Sequence, residues 1–149
     1  RYVHDQMGYN YRMVNILAAL GVSQLRQLPG YLSQKTEIFN QYKTLLGKLN
    51  VAVYVDEYCK SNHWIVNAVF SNEALREKAL GQLVKNKIQA RPLWTPAHKL
   101  PYFSDKNTLG QTFINAEVMW KRSLSLPSSS HLTQKDLETV VATIRDAIS

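Results

Sequence analysis

From Met13 to Leu49 the apolar residues recur every three or four positions, and one dipeptide, Pro29-Gly30, interrupts them. That period belongs to helices with one buried face. Met13, Leu17, Leu20, Gln24 and Leu28 share a stripe that Ile16 and Leu25 widen. Leu32, Phe39, Tyr42, Leu46 and Leu49 supply an apolar face beyond the proline. Proline lacks an N–H and crowds the preceding turn, so the pair predicts two helices, the first ended or sharply bent at Pro29 and the second over about 31–47. Stripes this broad require burial, yet only one small sheet follows to receive them. The opening helices therefore predict a neighbouring domain or a second subunit.

After Asn50 the period falls to two. Val51, Val53 and Val55 alternate with Ala52 and Tyr54 and predict a strand that Asp56-Glu57 stops. Ser61-Asn62 turns the chain into a second strand over 64–70, rich in aromatic and β-branched residues. Asn72 then stands before Glu73 and a stripe of Leu75, Ala79 and Leu83, as expected of a capped helix with an acid opposing its dipole. A third strand is expected over 88–94, at a sheet edge because Pro92 has no N–H for a ladder. Residues 95–110 read as an ordered loop and Phe113–Arg122 as a helix. Ser123–Leu126 reads as a brief extended piece, followed by a turn at Pro127. Thr133 caps the last helix, Asp136 stands three residues on, and Leu137, Val140, Val141, Ile144 and Ile148 form one face. The order is helix-helix-strand-strand-helix-strand-helix-helix: an α/β chain, α+β in isolation, with a small sheet covered by helices.

Composition narrows the class. With 149 residues, 45% of them hydrophobic, about two-thirds of the extended surface can be buried, so a sizeable core is possible. The single Cys59 excludes an internal disulfide and needs no oxidising compartment, which predicts a cytoplasmic protein. No apolar run reaches the roughly 20 residues of a membrane span, so no membrane insertion is expected. The excess of 18 Lys+Arg over 11 Asp+Glu gives +7, and it suits an anionic small substrate as well as a nucleic acid. No run of five basic residues concentrates it, so no specific nucleic-acid binding is expected. The chain opens on Arg1 and is expected to be a piece of something longer.

Local chemistry is sparse. His4, His63, His98 and His131 are widely spaced and Cys59…His63 is a lone pair, so no metal site is expected. His4 and Asp5 are adjacent, and neighbouring side chains point apart. The serines of Pro127-Ser128-Ser129-Ser130-His131 lack the strand–elbow–helix context of a nucleophile. Two segments stand out. Around Gly8, Tyr9, Asn10, Tyr11 and Arg12, an amide and a guanidinium precede a long helix and suit phosphate or carboxylate oxygens. Asn10 is equally well read as a plain turn or cap residue. From Arg91 to Phe103, three prolines fix the path of Arg91 and His98, while Trp94, Tyr102 and Phe103 are expected to pack the core rather than line a pocket.

These segments carry a resemblance. Gly8-Tyr9-Asn10-Tyr11-Arg12-Met13 with Asn15…Ala18-Ala19-Leu20-Gly21, then Arg91-Pro92-Leu93-Trp94…His98-Lys99-Leu100-Pro101…Phe103, then Asn115-Ala116-Glu117…Arg122…Leu126-Pro127-Ser128-Ser129 occur in order. Together they resemble the DegT/DnrJ/EryC1/StrS family of pyridoxal-phosphate aminotransferases, which aminate nucleotide-linked keto-sugars. The wording is closest to the branch making amino sugars related to bacillosamine or legionaminic acid.

The resemblance implies the interdomain helices and small carboxy-terminal domain of a fold-type I pyridoxal-phosphate transferase. Residues 1–50 would form a cofactor-edge loop and the dimerisation helices, and residues 51–149 the small α/β domain. The large domain, with the lysine that forms an imine with the cofactor, would lie upstream. Lys99 does not match that lysine, so no catalytic residue is expected within the chain and the chain alone is expected to be inactive. The implied assembly is a homodimer, with glutamate as an example of the amino donor. Asn10 would reach the cofactor phosphate across the dimer. Arg12 would lie on the same shared wall, nearer the charged groups of the sugar nucleotide. Tyr9 and Tyr11 would pack the interface or touch substrate, and His98 would approach the substrate from the small domain. Arg91 would be a further substrate or structural residue. The competing expectation is a noncatalytic dimerisation or ligand-binding module derived from the same family.

Overall fold

The computed structural model describes residues 6–55, 58–104 and 112–149. The His4-Asp5 pair, the Asp56-Glu57 strand stop and the end of the 95–110 loop lie outside the described residues. The first element is one helix, α1 (Asn15–Gly47), of 33 residues, with Pro29 inside it. The first helix therefore does not end at Pro29, and the two expected helices are one. Leu25 and Pro29 both lie on an exposed stretch, so the carbonyl that loses its partner faces water, and helix-forming sequence on both sides carries the turn through.

Four short strands follow: β1 (Ala52–Val53), β2 (Val66–Val69), β3 (Arg91–Pro92) and β4 (Ser123–Leu126). They form one antiparallel sheet in the order β1-β2-β4-β3. Val66 faces Leu126 and Val69 faces Ser123 across the central pair, while Arg91 faces Ser125 at the edge. Pro92 thus sits on an edge strand, as its missing N–H requires. The brief piece at Ser123–Leu126 is an inner strand of the sheet. Its Ser-Leu-Ser-Leu alternation lasts only four residues, and Ser123 is as fully buried as Leu124, as suits a strand with a neighbour on each side.

Helix α2 (Glu73–Lys85) starts as expected, with the Asn72 side chain accepting from the Leu75 N–H at 2.9 Å. A 3₁₀ turn (Ala97–Lys99) and the short α3 (Pro101–Ser104) occupy the proline-rich stretch, and α4 (Ile114–Arg122) leads directly into β4. Helix α5 (Gln134–Ile148) opens with a reciprocal cap. The Thr133 N–H donates to Asp136 Oδ2 at 2.8 Å, and the Asp136 N–H donates to Thr133 Oγ1 at 3.3 Å.

The core joins Ile38, Phe39, Tyr42 and Leu46 of α1 to Val66, Ala68, Leu124 and Leu126 of the sheet, Ala79 and Leu83 of α2, and Leu137, Val140 and Ile144 of α5. Every buried residue of α1 lies beyond Pro29. The earlier stripe is bare: Ile16, Leu17, Leu20 and Leu25 are each more than half exposed. Trp94 and Tyr102 are exposed too, at 70% and 69%, and Phe103 at 43%. They correct the core expectation because the segment after edge strand β3 lies outside the space that α1, α2 and α5 close. No helix among the described residues is long and apolar enough to cross a membrane.

Candidate functional site

The Gly8–Met13 segment runs without helix or strand into the start of α1. Asn10 Oδ1 accepts the backbone N–H of Arg12 at 2.9 Å, an Asx turn that fixes the loop. The turn reading of Asn10 is thus realised, and its amide NH₂ remains available as a donor. Tyr9 and Tyr11 flank it with ring centres 6.1 Å apart. Gln6, Gly8, Tyr9, Asn10, Tyr11 and Arg12 line an open concavity of about 700 Å³. Among the described residues no acid stands in the first turn of α1 and its cap residue, Val14, makes no side-chain bond, while Asn15 Oδ1 accepts the Ile16 N–H at 2.9 Å.

A second cluster forms where the 3₁₀ turn meets α4. His98 Nε2 lies 3.2 Å from Glu117 Oε1, and Lys99 Nζ lies 3.0 Å from Glu117 Oε2. Phe113 stacks on the imidazole at 4.7 Å between ring centres. The hydrogen bonds from Lys99 and His98 hold the Glu117 carboxyl below its usual range, so it stays ionised at neutral pH. Arg76 steadies α4 from α2. Its guanidinium is buried, donates from Nε to the Lys121 carbonyl at 2.9 Å and pairs with Glu77 at 2.6 Å. Among the described residues no group of three His, Cys, Asp or Glu could hold a metal ion.

Arg91 lines a third concavity of about 390 Å³ with Lys35, Trp64, Gln89 and Ser128. Lys35 donates to the carbonyls of Trp64 and Ser128, and burial lowers its pKa. The Ser128 hydroxyl accepts the Val66 N–H at 2.9 Å and donates to the Leu126 carbonyl at 2.8 Å. That hydroxyl is a structural tie between the turn at Pro127 and strand β2.

The sequence-selected residues thus fall on three concavities: Tyr9, Asn10 and Arg12 on one, His98 on another, Arg91 on the third. Glu117 was marked in the sequence only as part of a motif. Its link to His98 spans 19 positions, and no local spacing reveals it.

The sequence pattern of the DegT/DnrJ/EryC1/StrS aminotransferase family matches residues 1–145. The chain belongs to that family. EpsN of Bacillus subtilis (strain 168), whose name describes a pyridoxal phosphate-dependent aminotransferase, is 33% identical over 144 residues, covering 94% of this chain and 37% of EpsN. GDP-perosamine synthase of Escherichia coli O157:H7 is also 33% identical, over 152 residues, covering 100% of this chain and 40% of that protein. Among solved structures, Helicobacter pylori PseC, an aminotransferase involved in the biosynthesis of pseudoaminic acid, superposes with a TM-score of 0.81 at 18% identity. That match covers 97% of this chain and 40% of PseC. The mixed α/β architecture, an open sheet covered by helices, is therefore that of the family's aminotransferases. The chain spans about two-fifths of the length of the relatives it matches.

Proposed function

We propose that this chain is the carboxy-terminal part of a pyridoxal-phosphate aminotransferase that aminates a nucleotide-linked keto-sugar in the cytoplasm. The observation that carries the proposal is the Gly8–Met13 turn. It displays the Asn10 amide and the Arg12 guanidinium at the start of a helix whose first half is bare of its own domain. Bare apolar helix beside an anion-suited loop is what a shared wall between subunits requires. We place the substrate in the bacillosamine or legionaminic type, on the wording of the family motifs along the chain.

The residues fit one edge of the cofactor and no more. Asn10 supplies a neutral donor for a phosphate oxygen, and Arg12 supplies a cation for the phosphates of a sugar nucleotide. Nothing in the described residues encloses a ring. Pyridoxal phosphate, when bound, supplies the electron sink for amino transfer, and the lysine it requires belongs to the upstream domain. His98 meets the substrate from the small domain, and Tyr9 and Arg91 extend its contacts.

The test joins the chain to a lysine-bearing family domain and follows amino transfer from glutamate to a nucleotide-linked keto-sugar. The joined protein turns over and the isolated chain does not. One charge-assisted hydrogen bond contributes about 1.5–3 kcal/mol, so Asn10→Ala weakens cofactor retention about tenfold or more. A single stoichiometrically modified lysine in the isolated chain, coupled to turnover, overturns the proposal. A joined protein that dimerises but never turns over points to the noncatalytic module.

A further inference from the structure

We propose that Glu117 is a positioning residue for His98, occupying Nε2 so that the imidazole offers a substrate only its Nδ1 edge. The inference rests on the reading of His98 as the small-domain group that meets the substrate. Glu117 uses both oxygens, Oε1 at 3.2 Å from His98 and Oε2 at 3.0 Å from Lys99. An ionised carboxylate only accepts, so the Nε2 beside it carries a proton. In the neutral ring Nδ1 is then the acceptor. A substrate hydroxyl or amino group can donate to it, whereas an anionic oxygen cannot be bound there unless the ring is protonated. This separates the work of the two segments: cationic Arg12 suits phosphates and His98 suits the sugar's hydroxyl or amino groups.

The arrangement is anchored on both sides. His98 stands on a turn whose approach is fixed by Pro92 and Pro96, and Phe113 covers one ring face at 4.7 Å. Glu117 stands on α4, held by Arg76 at the Lys121 carbonyl and by the Phe70 N–H, which donates to the Arg122 carbonyl at 3.0 Å. Lys99 balances the second carboxylate oxygen, so the first is not drawn away from the ring. Two elements far apart in sequence therefore meet at a bond that sets the orientation of one imidazole.

Long-range proton–nitrogen spectra of the protein with labelled histidine, free of ligand, test the contact without any turnover. Near neutral pH the His98 Nε2 is expected to be protonated, with its proton visible because the carboxylate slows exchange. Glu117→Ala should erase that resonance and Lys99→Met should keep it. An unprotonated Nε2 in the unaltered protein, which needs no variant to fold, overturns the proposal; so does a resonance that survives Glu117→Ala. In the joined aminotransferase, Glu117→Ala and His98→Asn should each lower kcat/KM for the nucleotide sugar about tenfold, and the pair together no further. Multiplying losses overturn the positioning role. An unaffected His98→Asn enzyme sinks the substrate-facing reading itself, whatever the spectra show of Glu117.

Discussion

The Asp136 carboxylate shows what one side chain does at a helix start. It accepts the Thr133 N–H at 2.8 Å and the Thr133 hydroxyl at 2.7 Å, and these bonds hold its pKa below the ordinary 3.8. Unfolding returns the group to that ordinary value, so its contribution is complete above about pH 4 and is lost as the pH falls through the depressed folded value. Thermal midpoints measured from neutral to strongly acid pH should fall in that window, and Asp136→Asn should flatten the fall. A variant with the parent's acid profile would remove Asp136 from the account. Thr133→Ala, which removes the hydroxyl that accepts the Asp136 N–H, should cost about 1 kcal/mol at neutral pH, read from denaturant midpoints. The same Asp136 charge, after burial, raises the pKa of Tyr42, whose hydroxyl donates to the Pro127 carbonyl at 3.0 Å. Tyr42 therefore remains a neutral donor at neutral and mildly alkaline pH.

At the scale of elements, α1 divides at a point the sequence marks but misdescribes. Pro29 is expected from the sequence to end or sharply bend a helix; the helix does not end there, and Pro29 separates a bare half from a packed half. Because every buried residue of α1 follows Pro29, replacing it should not touch the cooperative core. Pro29→Ala restores one N–H and relieves a clash worth about 3 kcal/mol in a helix interior. The expected outcome is local: slower amide exchange over residues 15–28, with the global denaturation midpoint almost unchanged. A large midpoint shift would show that the two halves unfold together. The caps at Asn72 and Thr133 were legible because each depends on residues within three positions, and Pro92 marked its edge strand by chemistry alone. Central strand β4 was harder to read, since its Ser-Leu-Ser-Leu alternation lasts only four residues. In the candidate site, Asn10 and Arg12 were legible as a local pair. The His98–Glu117 bond was not, because it exists only once the 3₁₀ turn is folded against α4.

For the whole molecule the relevant quantity is surface. The chain exposes 11606 Å², against roughly 7,800 Å² for a compact monomer of its mass. Much of the apolar part lies in one place: every large apolar side chain from Met7 to Leu28 is at least 43% exposed. Monomers rarely keep contiguous apolar patches beyond a few hundred Å², and a stable interface needs about 800 Å² from each partner. The first half of α1 can supply that area without disturbing the core, which lies wholly beyond Pro29. If a second copy covers this face, two chains meet along their helices and each brings its Asn10 turn to the shared wall. The expected result is a dimer mass in light scattering, with dissociation appearing only on dilution. Leu17→Glu with Leu20→Glu places two charges on the stripe and should yield monomers with an unchanged circular-dichroism spectrum and unchanged core stability. A monomeric mass for the parent chain at high concentration would remove self-association as the use of this face. A lysine-bearing family domain joined to the chain would then be expected to bury it, and the joined protein should protect the residue 15–28 amides even when diluted to a monomer.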